Sequence, residues 1–152
     1  MTDTLTVEFT GTIKQPLPIV SKQFGDIRHH AKHRVHPNIA FTVLSEQNGV
    51  CRFKQEVTLL GMKQIDEVLQ KRLTDGSLES ETISGTNKGT KLFQSFQPLE
   101  PNATLIQIRV QIPLSGIKKV LKPFFRIALL STLKKAFEED RIDLEDKGYP
   151  RV

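Results

Sequence analysis

The chain has 152 residues, and its 22 lysines and arginines exceed its 17 acidic residues, which gives a net charge of +5 at pH 7. A chain of this length buries roughly two-thirds of its unfolded surface without disulfides, so we expect one domain over residues 1–152. The longest apolar stretch, 120–133, is interrupted by Lys122, Pro123 and Arg126. It falls short of the roughly 20 apolar residues of a membrane-spanning helix, which argues against an integral membrane protein.

Cysteine content and charge narrow the environment and the partners. The single cysteine, Cys51, cannot form a disulfide within the chain. The first residues lack the basic-then-apolar pattern of a secretory signal, so we expect a cytoplasmic protein. The positive charge suits anionic partners. Nucleic acid is a disfavoured partner, because Tyr149 is the only tyrosine and tryptophan, another stacking residue, is absent.

The first 36 residues predict a strand and two short helices. Apolar and polar residues alternate from Leu5 to Thr10, which is typical of a strand with one buried face. In the following segment, Ile19, Val20 and Phe24 recur at helical spacing. The pair at 25–26, Gly-Asp, provides a helix stop and then a new N-cap, so two helices fit better than one.

The region from Ile39 to Pro113 predicts six antiparallel strands. Its apolar residues alternate with polar ones, and turn signals containing glycine or proline recur along it, one of them at Gly61. The segment 62–73 also fits a helix, but its position between glycine turns favours a strand. The clearest alternation is at 51–59 and 106–112.

After Pro113 the apolar spacing becomes helical and predicts a long C-terminal helix. Ile117, Leu121, Phe124 and Ala128 form one stripe. Pro123 either kinks this helix or marks its restart after a short first segment. Gly148 and Pro150 end it.

The order of these elements resembles that of the START-like superfamily, also called SRPBCC or helix-grip, which includes polyketide cyclases and coenzyme Q-binding proteins. "VHPNIAFTVLS" looks like the junction between its second helix and second strand, and "IKKVLKPFFRIALLSTLKKAFEED" is similar to its closing helix. The resemblance implies an α+β fold with a curved seven-stranded antiparallel sheet around the C-terminal helix. It also implies a cavity between them for an apolar ligand, so we expect a small molecule or lipid as the partner.

The C-terminal helix carries a wider apolar surface than a half-buried helix requires. A closed core, an apolar ligand or a membrane surface could cover this surplus. The basic residues Lys118, Lys122 and Arg126, at i, i+4 and i+8, could contact anionic lipid headgroups, but a solvated polar face is the simpler interpretation.

Gln55 interrupts an apolar strand face, and a buried amide without a partner costs about 1 to 3 kcal/mol. It should therefore bond to a neighbouring strand, to water or to a ligand. Glu67 carries the same ambiguity, and the two would form a polar spot if both pointed inward. Aromatic residues of a small domain more often fill its core than line a pocket. With that alternative open, the candidate ligand-binding residues are Phe41, Phe53, Gln55, Val57, Glu67, Phe93, Ile108, Val110, Phe124, Phe125 and Ala128.

All four histidines lie between His29 and His36. On a helix, His29, His33 and His36 would share a face with spacing used by zinc sites. The segment has no cysteine and only one nearby acid, and the basic residues Arg28, Lys32 and Arg34 surround it. We therefore expect no metal and no cofactor, and instead a partly exposed basic helix near the pocket mouth, with charge that increases below about pH 6.5.

These features favour a protein that binds or carries an apolar small molecule or lipid. A cyclase- or dehydratase-like enzyme that uses the same pocket is the alternative, with Glu67, His29 and His30 as its acid or base candidates. No sequence motif demands catalysis. A module that associates with membrane surfaces is the third possibility.

Overall fold

In a computed structural model, which describes residues 3–59 and 62–152, the chain forms a seven-stranded antiparallel sheet with helices on one side. The strands are β1 (Asp3–Ile13), β2 (Ile39–Gln47), β3 (Val50–Leu59), β4 (Met62–Arg72), β5 (Leu78–Gly85), β6 (Lys91–Glu100) and β7 (Ala103–Leu114). Their order across the sheet is β1-β7-β6-β5-β4-β3-β2. The predicted meander is confirmed, including the strand β4. The turn predicted at Gly61 lies outside the described residues.

Two short helices, α1 (Leu17–Gly25) and α2 (Ile27–His33), connect β1 to β2. Asp26 separates them, and its Oδ1 accepts a hydrogen bond from the backbone N–H of His29 at 3.0 Å, as an N-cap should. Arg34 ends α2 in the left-handed conformation with φ 48°. The predicted stop and new N-cap are therefore confirmed, and the His-Pro pair at 36–37 lies between α2 and β2.

The C-terminal helix restarts at Pro123. A short helix α3 (Ile117–Val120) precedes α4 (Lys122–Ile142), and a π-helical turn at Asp143–Lys147 follows. Pro123 lies in the first turn of α4, where a missing backbone N–H costs no helical hydrogen bond. The interpretation as a restart is therefore the one that the structure supports.

Helix α4 packs mainly on the edge strand β1. Lys122 Nζ is 3.1 Å from Asp3 Oδ2, and Arg126 donates to the carbonyl of Thr6 at 2.9 Å. Two of the three basic residues that we interpreted as a solvated stripe thus hold the helix on the sheet. Among the described residues, no helix is long and apolar enough to cross a membrane.

Among residues 3–59 and 62–152, the buried apolar side chains form three clusters. The main one joins α1, α4 and the central strands, and its buried members are Ile13, Val20, Phe24, Leu78, Ile106, Ile108, Val110, Phe137 and Leu144. The second joins β1 and β7 to α4 through Leu5, Val7 and Leu114. The third lies under α2, where Ile27 contacts Phe53 and Val68. The third cluster identifies the face of β3 and β4 that points toward the helices.

Candidate functional site

The strand register assigns each side chain of β2 to β4 to a face of the sheet. Phe53 pairs with Val43 on one side and with Val68 on the other. Because Phe53 and Val68 both contact Ile27 of α2, this is the helix-facing side. Side chains two residues apart share a face, so Gln55 and Val57 also lie on the helix-facing side.

A polar side chain lies among apolar ones on this helix-facing side. Gln55 pairs with Phe41 of β2 and with Asp66 of β4, and it is half-buried. Within residues 3–59 and 62–152 its amide forms no side-chain hydrogen bond. The half-buried apolar residues around it are Ile39, Phe41, Val43 and Val57. We refer to these four residues and Gln55 as the β2–β3 patch.

Ile108 and Val110, which we proposed as ligand contacts, belong to the main core. They are 6 % and 4 % exposed and pack with residues of β1, α1 and α4. This arrangement fits the simpler expectation that apolar residues of a small domain fill its interior.

Glu67 and Phe93 lie on the outer face of the sheet. Glu67 pairs with Lys54 in the register, and its Oε2 accepts from Arg52 at 2.7 Å. Phe93 lies opposite Arg109, whose guanidinium is 4.7 Å from the ring centroid. Gln55 and Glu67 therefore do not meet the condition for a shared polar spot, because only Gln55 points inward and the acid that shares its face is its register partner Asp66.

The structure leaves the three predicted ligand residues of α4 at the surface. Phe124 is 72 % exposed and Phe125 is 37 % exposed, and Ala128 is also exposed. The helix places Leu129, Leu133 and Phe137 against the sheet instead. Of the eleven predicted residues, the structure brings together Phe41, Phe53, Gln55 and Val57.

One open cavity lies beside this region and another lies on the far side of the sheet. One of about 350 Å³ lies at the β2–β3 hairpin and is lined by Gly25, Cys51, Gln70 and Leu78 among others. The other, of about 330 Å³, is lined mostly by outer-face residues such as Phe93 and Arg109. The first cavity opens on the helix-facing side of β3 and β4, next to the third core cluster.

Two histidines of α2 and His36, which follows this helix, form a buried cluster with acids at the end of α4 and just after it. His29, His30 and His36 are 7 %, 5 % and 8 % exposed, whereas we expected a partly exposed basic helix. Their partners are carboxylates that are 103 to 114 residues away in sequence. The basic residues Arg28, Lys32 and Arg34 are exposed as expected, but these three histidines are not, because folding brings the acids to them.

His30 and His36 share the carboxylate of Asp140. His30 Nε2 is 2.8 Å from Asp140 Oδ1, and His36 Nε2 is 3.5 Å from Asp140 Oδ2. The other nitrogen of each ring also faces an acceptor: His30 Nδ1 donates to the carbonyl of Asp26 at 2.8 Å, and His36 Nδ1 is 2.9 Å from Glu139 Oε1. We refer to His30, His36, Asp140 and Glu139 as the histidine–carboxylate cluster.

A second pair lies next to this cluster. His29 Nε2 is 2.6 Å from Asp143 Oδ2. The buried amide of Gln23 joins the two acids, because its Nε2 donates to Asp140 Oδ1 at 3.1 Å and to Asp143 Oδ2 at 3.0 Å. Gln23 Oε1 is buried and has no hydrogen-bond partner among the described residues.

Mutual charge stabilisation outweighs burial in this cluster. Burial alone would lower the pKa of His36, but hydrogen bonds and charge from Asp140 and Glu139 raise it to about 9. Burial alone would raise the pKa of Asp140, but His30 and His36 hold it well below its usual range. In the absence of another cation, the His36 imidazole is therefore protonated at neutral pH.

One signal in the sequence could have indicated this cluster. The acids Glu138, Glu139 and Asp140 lie near the C-terminal end of α4, where the helix dipole disfavours negative charge. Acids at this end need cationic neighbours, and the histidine segment is the densest group of titratable cations in the chain. This signal does not identify the partner, because the residue spacing within the two segments does not indicate that they meet in the fold.

No family model matches the chain, and no curated protein sequence matches it. The chain is, however, similar in structure to solved proteins. A protein from Thermus thermophilus aligns with a TM-score of 0.80 at 11 % identity over 90 % of this chain and 94 % of that one. The Zhui aromatase/cyclase from a Streptomyces species aligns with a TM-score of 0.76 at 12 % identity, over 96 % and 99 %. A START superfamily protein from Mycobacterium smegmatis aligns with a TM-score of 0.73 at 17 % identity, over 91 % and 98 %. The chain therefore has the START-like, helix-grip fold.

Proposed function

We propose that this START-like protein binds an apolar small molecule or lipid on the helix-facing side of β2 and β3. The observation that carries the proposal is Gln55, a half-buried amide without a side-chain partner among the described residues, surrounded by half-buried apolar side chains. Ligand sites combine an apolar lining with a few polar groups that fix orientation. The β2–β3 patch has this composition.

The position of α4 supports the same proposal. The helix packs mainly on β1, at the opposite edge of the sheet from β2. Over β2 the main helical neighbour is α2, which leaves Phe41, Val43 and Val57 half-buried. A ligand that covers these side chains would remove apolar surface from water at about 25 cal/mol per Å².

Native mass spectrometry of gently purified protein, followed by organic extraction, tests for a bound ligand directly. Nile red, a neutral apolar dye, provides a titration with a defined probe. We expect Val57→Trp, which fills the β2–β3 patch, to weaken dye binding at least tenfold. Phe93→Leu is the matched control, because Phe93 lies on the outer face. Dye binding that Val57→Trp leaves unchanged would contradict the proposal.

A cyclase- or dehydratase-like enzyme is the second candidate function. The observation that favours it is the position of the histidine–carboxylate cluster beside the patch, since the rings of His30 and His36 lie 6.2 and 6.3 Å from that of Phe41. Glu67 no longer qualifies as its acid, because it faces outward. Conversion of an extracted ligand that is lost in His30→Gln but retained in Glu67→Gln would favour this function over simple carriage.

Docking on an anionic membrane is a third candidate, and it rests on a different surface. Val120, Phe124 and Ile127 are 77 %, 72 % and 70 % exposed on α3 and α4. Lys118, which is also exposed, precedes them by two residues or more. Apolar side chains next to basic ones are typical of helices that lie on anionic membranes. We refer to Phe124 and Ile127 as the α4 apolar face, which Val120 of α3 precedes.

A further inference from the structure

We propose that His30, His36 and Asp140 bind a divalent first-row transition-metal ion. One ligand atom from each of the three residues lies within 4.8 Å of the others, and all three residues are buried. Two imidazoles and one carboxylate form a donor set used by catalytic zinc and non-haem iron sites. This set differs from the one considered from sequence, since it omits His29 and His33 and takes its acid from α4.

The far nitrogens of both imidazoles are already held. The Nδ1–H of His30 donates to the backbone carbonyl of Asp26 at 2.8 Å, and Nδ1 of His36 is 2.9 Å from Glu139 Oε1. Histidine ligands of metals almost always donate their other N–H to a carbonyl or carboxylate, which fixes the tautomer and the ring orientation. Both Nε2 lone pairs are thereby directed toward Asp140.

The contacts inside the cluster require a cation or protons. When His30 Nδ1 carries the ring proton, Nε2 has only a lone pair, yet it lies 2.8 Å from a carboxylate oxygen. A second proton on the ring satisfies this contact, and so does a metal ion between the two atoms. Zinc lies about 2.0 to 2.2 Å from nitrogen and oxygen ligands, so binding requires the side chains to adjust by about an ångström.

Charge at the site also suits a divalent ion. Asp140 and Glu139 contribute two negative charges, which a divalent ion neutralises when both imidazoles are neutral. The basic residues that argued against a metal from sequence point elsewhere: Arg28, Lys32 and Arg34 are exposed. Arg28 pairs with Glu46, and Arg34 donates to the carbonyl of Pro37. Nitrogen ligands favour zinc, iron, copper or nickel over calcium and magnesium.

Metal titration of protein treated with chelator tests this site without any assumption about the apolar ligand. Co²⁺ gives visible absorption bands that report nitrogen and oxygen coordination, and competition with a chromophoric chelator gives the affinity for Zn²⁺. We expect one ion per chain and a rise in the unfolding temperature on addition of Zn²⁺. His30→Gln and His36→Gln should weaken Zn²⁺ binding by more than about 100-fold, since even partners of metal ligands are worth about 10 to 100-fold.

His33→Gln is the matched control, because His33 belongs to the same helix and lies outside the donor set. We expect it to bind Zn²⁺ like the wild type. Glu139→Gln keeps all three ligands and should weaken binding by about 10 to 100-fold. Glu139→Gln therefore still tests the site if His30→Gln or His36→Gln does not fold. X-ray absorption of the wild-type zinc complex should show two imidazoles.

Several results would overturn the proposal. Zn²⁺ that leaves the unfolding temperature unchanged, or affinity that is equal in wild type, His36→Gln and His33→Gln, would assign the cluster to ion pairing alone. Absence of imidazole from the X-ray absorption spectrum would do the same. Loss of Nile red binding in Val57→Trp concerns the proposed apolar site only, so failures of the two proposals are distinguishable.

Discussion

Asp66 and Glu67 are adjacent in β4, yet their carboxylates lie on opposite faces of the sheet. Asp66 is 2 % exposed and accepts two hydrogen bonds from Asn87, one from the backbone N–H at 2.9 Å and one from Nδ2 at 2.7 Å. Glu67 accepts from Arg52 on the outer face. Asp66 thus fastens the loop between β5 and β6, while Glu67 forms a surface ion pair.

We expect these neighbouring acids to contribute very differently to stability. Asp66→Ala leaves the backbone N–H of Asn87 without its partner and its Nδ2 with only the longer bond to Gln64 Oε1 at 3.4 Å, which should lower the free energy of unfolding by about 2 to 3 kcal/mol. Glu67→Ala removes an ion pair whose arginine side chain is 50 % exposed, and such pairs contribute about 1 kcal/mol or less. Urea unfolding of both variants checks this, and equal losses would show that the assignment of faces is wrong.

The sequence predicted the elements and their order well but not every face. Alternation indicates which residues share a face, and it identified Phe53, Gln55 and Val57 as one set. In β4 the set of Ile65, Glu67 and Leu69 is more apolar than the set of Asp66, Val68 and Gln70, so alternation favours the first set as the buried one, yet the structure buries the second. The register with β3 decides between the two sets, because it places Val68 opposite Phe53, and the residues alone do not reveal that register.

The histidine–carboxylate cluster was beyond local sequence analysis for a related reason. The histidine segment alone can be explained as a basic helix, and the acids at the end of α4 alone can be explained as a polar helix end. Their meeting depends on where α4 ends relative to α2, which a chain separation of 110 residues between His30 and Asp140 does not constrain. Helix length and sheet curvature set that position.

Gly11 allows α4 to lie close to β1. A Cβ at Gly11 would lie 2.5 Å from Cζ of Phe137, which is closer than van der Waals contact permits. We therefore expect Gly11→Ala to lower the free energy of unfolding by about 1 to 3 kcal/mol through overpacking. Thermal or urea unfolding gives the value.

A double-mutant cycle separates this contact from the general preference of strands against glycine. Phe137→Leu removes the ring and should cost stability alone, but Gly11→Ala should cost less in that background. A coupling of at least about 0.5 kcal/mol is expected for residues in contact. Additive effects would contradict the close approach.

Tyr149 ties the C-terminal segment to the start of α2. Its hydroxyl donates to Asp26 Oδ2 at 2.6 Å, while the other oxygen of Asp26 caps the helix. We expect Tyr149→Phe to lower the free energy of unfolding by about 1 to 2 kcal/mol, since the acceptor is charged. The loss reports the hydroxyl alone, because phenylalanine retains the ring that contacts His29.

The same hydrogen bond predicts a pH dependence at the alkaline end. Burial and the carboxylate of Asp26 raise the pKa of Tyr149 above its ordinary value, so the folded protein holds this proton more tightly than the unfolded chain. The stabilisation is fully present below about pH 10, where the unfolded phenol titrates, and is lost as pH rises through the folded pKa. The stability difference between wild type and Tyr149→Phe should therefore shrink above about pH 10. A constant difference up to pH 11, measured at closely spaced pH values of about half a unit, would contradict the bond.

The α4 apolar face predicts binding to anionic vesicles. Lys122 and Arg126 hold α4 on β1, so neutralising them would confuse docking with folding. Phe124→Ser combined with Ile127→Ser avoids this problem, because both side chains are at least 70 % exposed. The pair should weaken partition into vesicles of phosphatidylserine and phosphatidylcholine more than tenfold, since burial of each side chain is worth about 1.5 to 3 kcal/mol.

Lys118→Ser should weaken the same partition by about fivefold, because a lysine near an anionic surface contributes about 1 kcal/mol. It should have no effect on vesicles of phosphatidylcholine alone. Leu99→Ser is the matched control, since Leu99 is 52 % exposed on β6 and lies outside the α4 apolar face. Co-sedimentation with the vesicles measures all variants. Equal partition of wild type and the Phe124→Ser, Ile127→Ser variant would remove membrane docking as a function of this helix and leave its apolar side chains without that role.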